Sequence, residues 1–88
     1  MVLTMNIPGV RVLNYGLPDM KGQAWHVEFE GNYYVVSATD VPLSGPETMV
    51  FPANAAGEVT DWTELYVIHS IDHEAALFGA LHTEYEAW

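Results

Sequence analysis

The chain has 88 residues, half of them hydrophobic, with twelve Asp and Glu against two Lys and Arg and a formal net charge of −10. A nearly one-signed surface of this kind repels nucleic acid and anionic membranes and attracts basic partners, so direct DNA or RNA binding is excluded first. The absence of cysteine excludes disulfides and thiol catalysis and fits a reducing interior.

A chain of this length forms one domain and buries roughly 60–65% of the surface its unfolded form exposes, so the core is small. No apolar stretch approaches the ~20 residues of a membrane helix. The N-terminal stretch is broken by Asn6, Pro8, Gly9 and Arg11 and lacks the basic start of a signal peptide. The expected location is a cytoplasm.

Residues 1–21 read as an extension with one short strand at Val10, Val12 and Leu13, set among the breakers Pro8-Gly9, Asn14, Gly16 and Pro18-Asp19. The strand is expected on the edge of the sheet or on a partner chain. Met20 offers an alternative start, because a compact unit at 22–88 follows directly.

Residues 23–38 carry the clearest local pattern, two β-prone runs about Gly31-Asn32. A tight turn there needs φ > 0 and predicts a hairpin with Glu30 opposite Tyr33, Glu28 opposite Val35 and His26 opposite Ser37. The other face pairs Phe29 with Tyr34, Val27 with Val36 and Trp25 with Ala38. Alternation makes the Trp25, Val27, Phe29, Tyr34, Val36 and Ala38 face the core side, and the His26, Glu28 and Glu30 face the wet side.

Residues 40–46 predict a loop and 47–51 a third strand, which Pro52 ends or places at an edge. Residues 54–58 read as a turn. Residues 59–65 fit either a strand or a short helical turn capped by Asp61, and 66–68 fit a strand. Ser70 or Asp72 then caps a C-terminal helix. Its apolar stripe is Ile71, Ala75, Phe78 and Leu81 or His82, widened by Leu77 and Tyr85. Gly79 weakens that helix by ~1 kcal/mol relative to Ala.

The expected fold class is α+β: a small, mostly antiparallel sheet of three to five strands with one C-terminal helix packed across one face.

Little in this pattern carries chemistry. His69, Asp72, His73 and Glu74 form the densest group of metal-ligating side chains, but the cap at Ser70 or Asp72 leaves His69 outside the helix and no HExxH is present. No serine stands in GxSxG and the glycines form no phosphate-cradling loop. Glu28 and Glu30, two apart on a strand, would project carboxylates about 7 Å apart on one face, a spacing like that of successive phosphates. Trp62, Tyr66, Tyr85 and Trp88 exceed what one small core absorbs, and spare aromatics beside a charged rim are what interface centres use. The expected partner-binding residues are therefore Glu28, Glu30, Trp62, Tyr66 and Trp88. No catalytic, cofactor-binding or metal-binding residue is assigned, and no cofactor is expected.

The words W-x-V-x-F-x-G-x-x-Y-V-V-S (Trp25 to Ser37), GPETMVFPAN (Gly45 to Asn54), G-x-V-x-D-W-x-E-L (Gly57 to Leu65) and DHEAAL (Asp72 to Leu77) resemble a group of short acidic proteins encoded by phages of actinobacteria. The resemblance spans roughly residues 25–80 and brings no catalytic residue or cofactor. It implies an accessory protein acting in the cytoplasm of an infected bacterial host. The resulting expectation is a non-enzymatic protein that binds another protein, in its sharper form a DNA-mimic inhibitor of a basic host protein. The alternatives are a self-assembling structural phage protein, a homo-oligomer, and a metal-dependent site near His69–Glu74.

Overall fold

The computed structural model describes the backbone of residues 7–15 and 23–86 and the side chains of 7–14, 24–40 and 42–82. Strands β1 (Val10–Tyr15), β2 (Gln23–Phe29), β3 (Asn32–Val41), β4 (Gly45–Ala53) and β5 (Tyr66–Ile68) precede helix α1 (His73–Glu86). The strands form one sheet in the order β1-β2-β3-β4-β5, with every pair antiparallel. The fold is thus α+β, as the sequence predicts.

The β2–β3 hairpin forms, but its turn is centred one residue earlier than expected. Glu30 and Gly31 occupy the two central positions, with φ of 50° and 84°. Two left-handed residues in succession make the turn whose twist matches the flanking strands, and Gly suits its second position. The Glu28 carboxylate accepts the Gly31 N–H at 3.0 Å and holds the turn. Val27 therefore faces Tyr34, and Glu28 faces Tyr33. Moving the centre by one residue slides each partner by two, so the faces keep their residues although the pairs change. Val27, Tyr34 and Val36 remain on the core side, packed with Val50 of β4.

The opposite face departs from expectation. His26 is not wet: it is 4% exposed, on a face with Val35 and Phe51, both buried. The segment after β4 folds back over it. The His26 Nε2–H donates to the Asn54 carbonyl at 2.9 Å, which also accepts the Gly57 N–H at 3.1 Å. The Asn54 side-chain oxygen accepts from the N–H groups of Ala56 and Glu58, each at 3.0 Å. Gly57 has φ of +87°, and a β-carbon there would stand 3.3 Å from the His26 ring. A polar ring is thus buried with a bonded nitrogen, as burial requires.

Pro52 lies inside β4 and pairs with Tyr34. Its carbonyl accepts the Thr60 N–H at 3.0 Å, on the side away from β3. The nitrogen of a strand residue points the same way as its carbonyl, so the missing N–H takes nothing from the β3–β4 ladder.

Asp72 is the helix cap, its carboxylate accepting the Ala75 N–H at 3.0 Å. The buried Thr48 hydroxyl donates to the Ser70 carbonyl and accepts the Asp72 N–H, which fixes where α1 starts. The helix lies on the sheet through Ala76, Leu77, Ala80 and Leu81. The expected stripe is corrected: Ile71 and Phe78 are 50% and 58% exposed, and Ala75 is exposed. The small Ala76 and Ala80 let the helix approach the sheet. Apolar residues lie on both of its sides, so spacing alone does not select the buried one.

Candidate protein-binding surface

Residues 54–65 place the second face of the sheet under a short, well-braced segment. Its route is set by backbone bonds at both ends: Thr60 N–H to Pro52, and Leu65 N–H to Val50 at 2.8 Å. Between them the Asp61 carboxylate accepts the Thr63 N–H at 2.9 Å, a local turn that replaces the strand or helical turn open to this stretch. That turn carries Trp62 over Phe51, ring centroids 5.3 Å apart and edge to face. Phe51 is buried, whereas Trp62 remains 64% exposed. One side of the indole is seated and the rest faces solvent.

Apolar neighbours extend this spot. Met49 lies two residues before Phe51 and so on the same face, and Val67 of β5 pairs with Met49. Val67 and Leu65 are exposed apolar side chains, and Met49 is half-buried. Asp61 and Glu64 flank Trp62 and are exposed. Glu47, on the same face of β4, lies 3.4 Å from the His69 ring. Among the described residues, Arg11 is the one Lys or Arg, and it stands on β1 at the far edge of the sheet. The result is an apolar centre with an anionic rim.

Of the residues expected to bind a partner, Trp62 occupies this surface. Tyr66 does not join it: its ring packs on the helix side, against Gly79. Glu28 is committed within the molecule, at 3.2 Å from Arg11 and bonded to Gly31. Glu30 sits in the turn with positive φ, so the two carboxylates do not alternate along one strand face as the phosphate-like spacing requires. Trp88 lies outside the described residues. The residues sequence reasoning missed are Leu65 and Val67, whose apolar character suggests core, and Phe78 on the outer side of α1.

The His69–Glu74 group disperses. His69 turns to Glu47, Asp72 caps the helix, and the His73 ring lies 5.5 Å from that of Trp25. Among the described residues, no three His, Asp or Glu side chains converge as a metal ion would need. No helix among them is long and apolar enough to cross a membrane.

No family of known proteins, no curated protein and no solved structure matches this chain. The likeness to actinobacteriophage proteins therefore rests on the motif words alone.

Proposed function

We propose that this chain is a non-enzymatic binding protein whose target is a basic protein, held by Trp62 and steered by the acidic rim around it. In the setting implied by the motif words, it is a phage accessory protein and the target is a host protein. The observation that carries the reading is a tryptophan seated on a buried phenylalanine, largely exposed, and flanked by Asp61 and Glu64 in a segment braced at both ends. An aromatic anchor inside a charged rim divides the work of an interface. The ring supplies affinity, and the field supplies association rate and partner choice. The arrangement of Glu28 and Glu30 lends no support to the DNA-mimic form.

The test is retention of proteins from an actinobacterial extract by the immobilised chain, followed by affinity measurements on what is retained. The reading expects a basic protein, weakened by salt and weakened about 30-fold by Trp62→Ala, the scale of a hot-spot residue. A retained set that ignores both salt and Trp62→Ala would defeat it.

Self-assembly is the second reading, because β1 ends the sheet and no described strand pairs with its outer side. Two features oppose it. The register of β1 shifts between Val12 and Asn14, and bulges protect sheet edges from pairing. Two copies would also bring together two charges of −10. Sedimentation at high concentration separates the readings, since assembly predicts a mass that rises with concentration.

A further inference from the structure

The outer side of α1 carries a second apolar surface on the other side of the molecule from Trp62. Ala75, Phe78 and His82 recur at helical spacing over two turns, with Ile71 just ahead of the cap. The Phe78 and His82 rings are stacked, with centroids 5.8 Å apart and planes 11° from parallel. Beside them opens a cleft of about 220 Å³ lined by Ile7, Pro8, Phe29, Phe78, Leu81 and His82. Gly9, with φ of +85°, brings the entering chain against the Phe29 ring and shapes its wall.

We propose that this cleft and the stripe beside it form a docking site for a basic amphipathic helix, which inserts one large apolar side chain beside Phe78. Charge selects the sign of the partner. None of the described residues lining the cleft is Lys or Arg, Glu74 lies one turn before Phe78, Asp72 caps the same helix, and Glu30 adjoins Phe29. A second copy of this chain would bring its own charge of −10 and is disfavoured. Shape selects a helix. The surface to be matched is itself a helical stripe, and its exposed member Ala75 is small enough for the ridge of another helix to approach the backbone there. Apolar anchors at i, i+3 or i+4 and i+7, framed by Lys and Arg, meet both requirements. The site shares with the Trp62 surface only the sign of its charge, so either can fail alone.

The probe is a labelled synthetic peptide of about 18 residues, long enough for helical turns to form on binding, with Leu at those anchor positions and Lys elsewhere. It is titrated into the full chain at physiological salt. Its affinity should fall at least 10-fold with Phe78→Ala and with Ala75→Arg, and stay unchanged with Trp62→Ala. A peptide of the same composition with its stripe scrambled should bind at least 10-fold more weakly, and a Glu-for-Lys version should not bind. Backbone amide shifts on binding should concentrate at 71–82 and around Ile7. Four outcomes overturn the proposal: equal binding of the scrambled peptide, indifference to both helix variants in folded protein, shifts centred on Trp62, or a free-protein dimer that Phe78→Ala dissolves. Tighter binding after removal of residues 1–6 would also overturn it, by identifying the chain's own N-terminal segment as occupant.

Discussion

The ring of Tyr66 on β5 lies against the backbone of Gly79 on α1, so closely that a β-carbon at position 79 would overlap the ring. The glycine that weakens the helix by its intrinsic preference is thus what lets the helix close on the last strand. Gly79→Ala should gain ~1 kcal/mol of helix preference and lose more to overpacking, which costs about 1–3 kcal/mol. A net loss near 1 kcal/mol is expected in urea unfolding. In a Tyr66→Ala background the same change should become stabilising, and that reversal of sign is the check.

Thr48 joins the sheet to the helix cap through a single buried hydroxyl. Thr48→Val preserves shape and leaves the Ser70 carbonyl and the Asp72 N–H without that partner. A loss of about 2 kcal/mol is expected, the usual scale for stranded polar groups. Thr48→Ser should recover most of it.

Leu43, at the tip between β3 and β4, has φ of 73° and a fully exposed side chain. Left-handed backbone costs an ordinary residue roughly 1–2 kcal/mol, and Asn tolerates it better. Leu43→Asn gives up no packing, so stability should rise by about 0.5–1 kcal/mol, seen as a melting temperature a few degrees higher.

Acidic residues should differ in how they steer a basic target. Asp61→Asn combined with Glu64→Gln should slow association several-fold at low salt and flatten its salt dependence. Glu28→Gln should leave both nearly unchanged, because that carboxylate is already engaged by Arg11 and Gly31. Its effect on stability should stay below about 1 kcal/mol, since the Arg11 partner is largely exposed. Stopped-flow rates across a salt series distinguish the two variants.

His26→Ala tests the bracing of the Trp62 segment from behind. Loss of the bond to Asn54 and of the ring beneath Gly57 should cost about 2 kcal/mol. The amides of Gly57 and Glu58, which both bond to Asn54, should exchange faster with solvent. Binding through Trp62 should weaken although no residue of that surface has changed.

Much of the fold is legible in the chain, and the failures have definite causes. The hairpin faces follow from strict alternation between Trp25 and Ala38, and they survive a turn misplaced by one residue because the slide is even. Side-chain chemistry narrows the cap to Ser70 or Asp72, and the choice of Asp72 is made by the fold, where Thr48 holds both residues and the Asp72 carboxylate takes the Ala75 N–H. The burial of His26 is not legible, because it depends on a loop twenty-eight residues away delivering the Asn54 carbonyl. The buried side of α1 is hidden for a different reason: Ala75 and Ala76, like Leu77 and Phe78, are adjacent apolar pairs, and only the sheet decides which member turns inward. Trp62 is legible as a surplus aromatic, while Tyr66, equally aromatic, is claimed by Gly79.

Each strand hydrogen-bonds to the one before it in the chain, which has a consequence for how the molecule assembles. Such a meander needs few distant loop closures, and topologies of that kind fold quickly for β-rich domains. Strands can zip in order as synthesis delivers them, leaving the helix to settle last on a finished platform. Substitutions in the helix–sheet seam should then accelerate unfolding more than they retard folding, so a weakened seam would shorten the lifetime of the native state while leaving its rate of formation almost untouched.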